Sequence, residues 1–593
     1  MTKKLSIAVL PFKNMSSDSE NEYFCDGITE EIINALAKIE SLKVTSRTSS
    51  FHFKDKEIPI SDIGNTLGVS TILEGSVRLS SDVLRITAQL IQAEDDFHFW
   101  SETWDRKLEN IFEIQDEISL LIADKIRENF GHFEMADHLV SKQTDSINAY
   151  EYSLMASFHK NKWNPADIRL AEGFYKKGLA LDANHVASLV GLADVYSFMA
   201  MTGVMPFMDA WGKSNEMVRQ ALILDPNNPN AFYQKANSAF FFQSNFSDAF
   251  KHCAKAIQLK PNYVEAQQFM SFLHIISGDK EKSKLHLDIA LGIDPLSQET
   301  LFFSAYYDYM VEDFSKSLSQ LDRCLAVNNK NLPVHAVKCL CLLKLNRLNE
   351  VVHYFDDIPI EIMDGEKDGA AGLAYVFMKD QENIDKYLDL LKTQAESPEG
   401  FAADSFVFMM HAAMNDKEAA FDWVKSRIEH QSGLLMLRFG DPMVKYLRSD
   451  KRFSEYHNLL FPSIITVPIK KSKKALLDDD SASDYESKLL THLKEDEPFL
   501  DPGLTLRSLA DQVEIHPNQL SWLLNVHIGK SFNEFINTFR VETFKKLAMD
   551  SANSHLTLIG MAYDSGFNSK TVFNTYFKKE TGLTPKQFMN SES

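Results

Sequence analysis

Cysteine is scarce in this chain: five residues in 593, odd in number and far apart (Cys25, Cys253, Cys324, Cys339, Cys341). A disulfide scaffold needs paired cysteines in a small oxidised domain, so this pattern excludes one and points to reduced thiols in a cytoplasmic protein. Cys339 and Cys341 form a C-x-C pair, but no second Cys/His pair follows at zinc-ligand spacing, and both are expected in a core. Glycine (23) and proline (18) are also few, which excludes collagen-like and low-complexity chains. No apolar run reaches the ~20 residues that cross a bilayer, and LLFPSIITVPI at 459–469 is interrupted by two prolines. The opening MTKKLSIAVLPF stops its apolar run at Pro11 and enters polar KNMSSDSENE without a small-residue cleavage site. That is a buried first strand rather than an export signal. Positive charge is in deficit as well, 62 Lys/Arg against 83 Asp/Glu for a net charge of −21. Surfaces that coat nucleic acid or acidic lipid need a basic field, so no membrane contact is expected and any nucleic-acid contact is local.

What is present is a chain of ordinary globular composition, 44% apolar and 24% charged, too long for a single core. Residues 5–130 alternate strand-like and helix-like patterns. LSIAVLPF precedes an amphipathic run from Tyr23 to Ile39, then come LKVTS, a short helix near Ile63–Leu67, the β-rich runs VSTILEGSVRL, VLRITAQLIQ and FHFWSETW, and a helix from about Ile114. From about 145 to 455 the pattern is helical, punctuated at Asp225-Pro226, Lys260-Pro261, Asp294-Pro295 and Asn328-Asn329, at spacings of 35, 34 and 34 residues. A 34-residue period is the signature of tetratricopeptide repeats, whose helical hairpins bury their apolar faces only by stacking on neighbours. Ala249, Ala256, Gly278 and Ala290 are expected where helices approach closely, and the aromatics of FYQKANSAFFFQSNF are expected in inter-helix core. Asn237 and Gln267 depart from the repeat consensus, about nine extra residues fall around Thr202–Asp209, and the repeats before 180 and after 345 are degenerate. TVPIKKSKKALLDDDSASDYES, 466–487, runs from basic to acidic and serine-containing, the composition of a linker.

The last hundred residues carry two helix-turn-helix patterns joined by a long helix. In the first, Thr505 caps a helix through Val513, Glu514-Ile515 turn, and His516-Pro517 open a second helix. Leu506, Leu509, Ala510 and Val513 face Leu520, Leu523 and Leu524, which leaves Asn518, Ser521, Trp522 and Asn525 pointing outward. The joining helix sets Phe532, Phe535, Ile536, Phe539, Phe544 and Leu547 on one side as a buried spacer. In the second, Leu558, Ile559, Ala562 and Tyr563 precede Gly566, and Ser569 caps a helix whose Phe573, Tyr576 and Phe577 turn inward. Lys570, Thr571, Asn574, Thr575, Lys578 and Lys579 are left on its outer face. Amides and hydroxyls read base edges while lysines hold phosphates. Residues 504–589 hold nine Lys/Arg against seven Asp/Glu, a local excess of cations in an acidic chain.

Two stretches resemble known families. PFKNMSSDSENEYFCDGITEEI, TSRTSSFHFK, LEGSVR, RITAQLI and HFWSETWDR, over about 130 residues, resemble the domain similar to the amino-terminal part of TolB that precedes helical repeats in bacterial regulators and class III adenylate cyclases. That implies a sensing or assembly module with no catalytic residue. The text A-x-x-x-G-F-x-S-x-x-x-F-x-x-x-F-K-K-x-x-G-x-T-P, from Ala562 to Thr584-Pro585, resembles the AraC/XylS transcription regulators. It implies that each second helix enters a major groove, with the joining helix setting their spacing. Where that family often carries Arg or Lys, this chain has Asn518, Ser521, Trp522 and Asn525.

Catalytic signatures are missing. Gly529-Lys530-Ser531 lacks the earlier glycine of a phosphate loop, Leu524 standing in its place, and no H-E-x-x-H, G-x-S-x-G or Rossmann glycine pattern occurs. His52 and His98 alternate with aromatics as in strands and are expected in sheet or core. The sequence predicts a multidomain, mainly α protein with an α/β domain over 1–135, a tetratricopeptide α-solenoid over 145–460, a linker over 461–487 and an all-α double helix-turn-helix domain over 488–593. The expected function is that of a cytoplasmic regulator binding double-stranded DNA, with a signal or a protein or peptide partner received by the first two parts. No catalytic residue, cofactor or metal is expected. The rival reading is a repeat-based protein scaffold whose terminal bundle does not bind DNA.

Overall fold

The computed structural model describes residues 5–592 apart from 17–21, 81–82, 108–110, 163–164, 203, 330, 357, 359–364, 398–399, 430–433, 463–475 and 554. The chain parts into two bodies. One joins residues 1–44 and 56–142 to 468–593; the other holds 45–55 and 143–467.

In the first body the α/β part is built on a mixed six-stranded sheet. Strands β1 (Ser6–Val9), β2 (Lys13–Asn14), β3 (Lys43–Val44), β4 (Thr71–Ser80), β5 (Val83–Gln92) and β6 (Phe97–Lys107) run in the order β3-β1-β4-β5-β6, with β2 also on β4. β1 lies parallel between β3 and β4 and is buried along its whole length, which is why SIAV reads as apolar without alternation. The three β-rich runs form an antiparallel meander from β4 to β6, with an irregularity in register at Leu90/Ile91. Gly75 is required there, because a Cβ would stand 2.4 Å from the Thr87 carbonyl oxygen and 2.9 Å from the Phe12 ring. Helices α1 (Glu22–Leu36), α2 (Ile60–Leu67) and α3 (Ile111–Phe130) complete the part. Ile111, Ile114, Ile118 and Ile122 recur at helical spacing along α3 and all are buried. His98 lies on the sheet surface, 3.1 Å from Gln89.

TSRTSSFHFK departs from its strand reading. After β3 the chain leaves the sheet and forms a helix, Arg47–Phe51, capped by Ser46, so His52 ends a helix. This segment belongs to the repeat body, where the Ser46 N–H donates to the Ile293 carbonyl at 3.0 Å and the Leu296 N–H to the Ser49 hydroxyl at 2.9 Å.

The repeat body is a tetratricopeptide α-solenoid. Four helices begin at Pro229, Val264, Gln298 and Leu332, and the helices before them end at Leu224, Leu259, Ile293 and Val327, directly at the punctuation of the sequence. Asn228, Asn245, Asp279, Ser297, Asp313 and Asn331 cap helix starts through their side chains. Ala249, Ala256 and Ala290 are fully buried between helices. Gly278 differs from its expected packing role: it occupies a turn at φ +96° with open space where a Cβ would stand, so it supplies conformation. Phe240, Phe269 and Phe272 meet edge-on and stacked in the core, as read for the aromatic stretch. Helical pairs such as Ile147–Lys160 with Pro165–Leu181 and Phe401–Ala413 with Lys417–Glu429 extend the scheme over the degenerate stretches. All five cysteines are buried.

The carboxyl-terminal part of the first body is all α: α4 (Asp479–Glu495), α5 (Leu506–Gln512), α6 (Pro517–Trp522), continued by wider turns over Leu523–Ile528, α7 (Phe532–Met549), α8 (Leu558–Asp564), α9 (Lys570–Thr581) and α10 (Pro585–Glu592). The acidic half of the stretch read as linker is therefore helical. Asp478 caps α4, and Leu477, Ala482, Leu489 and Leu493 enter the core around α5 and α6. The KKSKK segment lies outside the described residues. Among the described residues no helix is long and apolar enough to cross a membrane, and no group of three or more His, Cys, Asp or Glu is placed to hold a metal ion.

Candidate nucleic-acid interface

Two small cores, one at each end of α7, position the two helix-turn-helix motifs. Phe532, Phe535 and Ile536 join Leu506, Leu509, Ala510, Leu520, Leu523 and Leu524 in the first. Val541 and Phe544 join Met561, Ala562, Phe567, Phe573 and Phe577 in the second. α7 is thus a buried spacer, with Phe544 ring centroids 4.7 Å from Phe573 and 5.2 Å from Phe577. Arg540, which the sequence did not single out, ties α7 to the preceding segment through the Phe499 and Asp501 carbonyls, both at 2.8 Å. Burial draws its pKa down to about 10.

Local chemistry fixes each turn. Thr505 and Ser508 form a reciprocal capping box on α5, and Ser531 and Glu534 another on α7. The His516 Nδ1 accepts from the Asn518 N–H at 3.2 Å at the start of α6, with Pro517 in the first turn where its missing N–H costs nothing. Glu514 turns the first motif at φ +56°. Gly566 turns the second at φ +92°, where a Cβ would meet the Phe499 carbonyl oxygen at 2.3 Å. One packing expectation changes: Tyr563 is exposed and Met561 takes the core position, because residues 558, 561, 562 and 565 share the inner face.

The two outer faces differ. On α9, Phe573 and Phe577 are buried while Lys570, Thr571, Asn574, Thr575, Lys578 and Lys579 are all exposed. The Lys579 ammonium reaches the Glu534 carboxylate at 2.5 Å. Burial disfavours that carboxylate, but Lys579 and the Ser531 cap outweigh it and hold its pKa below the ordinary value.

On α6 the expected outward residues are covered. Ser521 is fully buried, with its hydroxyl 3.0 Å from the His132 Nδ1. The Asn518 Oδ1 accepts from the Arg127 guanidinium at 2.7 Å, and its Nδ2 donates to the Met135 carbonyl at 2.9 Å. The Asn525 Nδ2 donates to the Ser521 carbonyl at 2.9 Å, and its Oδ1 lies 3.5 Å from where a Gly131 Cβ would be. Trp522 is half-buried and packs on the first core. The covering groups come from the end of α3 and the residues after it, which turn at Gly131 with φ +123°. Glu128 accepts from the Leu506 N–H at 2.8 Å, Asp124 from Arg507 at 3.1 Å, and Asn129 from Asn533 at 2.9 Å. Arg127 is fully enclosed beside Asp124, and burial lowers the pKa of its guanidinium while raising that of the Glu128 carboxyl. Arg127 and Asn518 are 391 positions apart, so no local pattern could pair them.

Several cations of this part are already engaged: Arg507 with Asp124, Lys545 with Glu542, Lys579 with Glu534. Lys546, Lys570, Lys578 and Lys586 are exposed, and they concentrate the positive field on the second motif.

The architecture is that of a multidomain chain with an α/β part, a tetratricopeptide solenoid and a carboxyl-terminal AraC-type helix-turn-helix domain. Residues 509–591 match the family described as "Helix-turn-helix domain", and residues 2–121 match "HilA/YgeH-like transcriptional regulator, second domain". The latter gives the segment likened to TolB a regulator's description. Among individual proteins, the chain is 35% identical over 220 residues to a Rhizobium meliloti (strain 1021) protein provisionally named adenylate cyclase 3, covering 37% of this chain and 36% of that protein. It is 32% identical over 88 residues to an uncharacterized HTH-type transcriptional regulator, YobQ, of Bacillus subtilis (strain 168), covering 15% of this chain and 35% of that one. The chain thus spans about a third of the length of these two relatives. A solved tetratricopeptide repeat protein from Parabacteroides merdae ATCC 43184 is 11% identical, with a TM-score of 0.31 over 45% of this chain and 99% of that one.

Proposed function

We propose that the chain is a sequence-reading, duplex-binding regulator in which α9 supplies the exposed reading face, Thr571, Asn574 and Thr575 meeting base edges and Lys570, Lys578 and Lys579 phosphates. The first motif reads through Asn518, Ser521, Trp522 and Asn525 when that face is uncovered. Residues 1–135 and the repeats of 145–460 receive a signal or a protein partner, the chain after 460 leads into the terminal part that begins with α4, and the protein works in the cytoplasm without catalytic activity. The carrying observation is the polar and basic stripe on α9, exposed along its length and backed by Phe573 and Phe577. The activity in the name of the Rhizobium relative is not transferred, since most of that protein lies outside the match.

The test is selection of genomic duplex fragments by the full chain at two salt concentrations, beside a chain carrying Lys570→Ala, Asn574→Ala and Thr575→Ala. Each neutralised phosphate steepens the fall of log K with log salt by about 0.9. Selective, salt-sensitive enrichment that the triple variant loses supports the reading. Enrichment no better than the variant's favours a protein-binding scaffold.

A further inference from the structure

The geometry points to a closed state in which the end of α3 occupies the reading face of the first helix-turn-helix motif, so that two-groove DNA binding requires this contact to open. The inference rests on the duplex-reading proposal and adds to it which motif is withheld, and by what.

Three observations carry it. First, the polar groups that would read bases from α6 already have protein partners: both ends of the Asn518 amide, the buried Ser521 hydroxyl and the Asn525 amide nitrogen. A base edge needs those same donors and acceptors, so the two uses exclude each other. Second, donors on the same side of the motif meet carboxylates of the α/β part. The Leu506 N–H meets Glu128, Arg507 meets Asp124, and the His516 Nε2 lies 3.2 Å from Asp137. Anionic oxygen on N–H and guanidinium donors is the chemistry of a phosphate contact, and phosphates cannot enter while these carboxylates stay. Third, the covering contact is rich in hydrogen bonds and enclosed charge, and it is imperfectly satisfied: the Arg127 Nε is buried with no hydrogen-bond partner among the described residues. Polar interfaces between parts of one chain separate more readily than apolar ones, because water satisfies the released groups. A buried donor left without a partner is a cost that opening removes. Among the described residues α9 carries no such cover, its six outer residues being exposed. In the closed state one motif is presented and the other withheld.

A reversible latch tests this in the full chain. Asn129 and Asn533 touch through their side chains and lie outside both reading faces. Asn129→Cys with Asn533→Cys, bridged by a short bis-methanethiosulfonate, are joined across the contact through reducible disulfides, and the five native thiols are buried. Binding to a pool of random duplexes of about four helical turns, ~40 base pairs, is measured with the latch bridged and reduced, and protection of the selected duplexes is mapped. The expected result is protection of about one turn, ~10 base pairs, when bridged. Reduction should extend it to about two turns, with affinity rising by tenfold or more, on the order of the coupling that allosteric contacts supply. A second variant, Arg127→Ala, should show the extended protection without any reductant. Equal two-turn protection in both latch states overturns the closed state and leaves the DNA reading intact. No salt-dependent binding in either state overturns the DNA reading and this inference with it.

Discussion

The Arg127 guanidinium donates to the Asn518 Oδ1 at 2.7 Å, joining the last turn of α3 to the helix that the sequence marks as the first DNA reader. Arg127 is wholly enclosed, and removing one partner of a buried ionic group costs about 3–5 kcal/mol when the other is stranded. Here Asp124 retains Arg507 and Glu128 retains Lys125. Arg127→Ala is therefore expected to cost the first body less, about 2–3 kcal/mol, and the volume-preserving Arg127→Met less again. Urea unfolding of the two variants checks the order; equal stability of Arg127→Ala and wild type would show that the contact contributes nothing.

On α9 stability and binding should come apart. Lys570, Asn574 and Thr575 are exposed and the helix is anchored from its other face by Phe573 and Phe577. Alanine at the three positions should shift stability by no more than about 0.5 kcal/mol each, whereas Lys570→Ala alone should reduce the salt slope of duplex binding by about one. Phe573→Ala should do the reverse first, costing about 3–5 kcal/mol. A melting temperature that falls sharply in the triple alanine chain would place these residues in packing instead.

Much of this architecture was legible because it is local. The 34-residue punctuation fell at helix ends, and the caps at Thr505 and Ser569 sit where short polar side chains precede apolar runs. The outer face of α9 follows from the inward phenylalanines at 573 and 577. What escaped is long-range. Asn518 and Ser521 read as outward by helical periodicity, and periodicity says which side of a helix leaves its own core, not whether a segment almost four hundred residues away covers it. The same limit applies to TSRTSSFHFK, whose place in the repeat body depends on partners near Ile293 and Leu296. The helical start of α4 was hidden by composition, since DDDSASDYES is polar apart from the few residues that reach the core.

Two glycines separate conformation from crowding. Gly566 and Gly582 both adopt positive φ, +92° and +76°, but a Cβ at 566 meets the Phe499 carbonyl oxygen at 2.3 Å while at 582 it meets no described residue within 4 Å. Gly582→Ala should cost about 1 kcal/mol, the conformational penalty alone. Gly566→Ala adds a backbone collision and should cost at least twice as much, loosening the second core around Phe567. Chemical denaturation of both variants reads the difference, and equal costs would remove the collision from the account.

The repeat body should carry a pH dependence traceable to Glu299. Burial, then the like charges of Glu265, Asp294 and Asp194, push its carboxyl up to about 8, against about 4.3 in an unfolded chain. A carboxyl whose folded pKa lies above its unfolded one favours the folded state fully below the unfolded value. That contribution fades as pH rises toward the folded value, because ionisation is easier once the chain unfolds. Glu299→Gln mimics the protonated form at every pH. The variant and the wild type should therefore melt at similar temperatures near pH 5, and the variant should melt higher by pH 8, with the gap opening across that window. Melting curves that stay parallel from pH 5 to 8 would mean that Glu299 titrates as an ordinary solvated carboxylate and that the acidic wall around it is open to water.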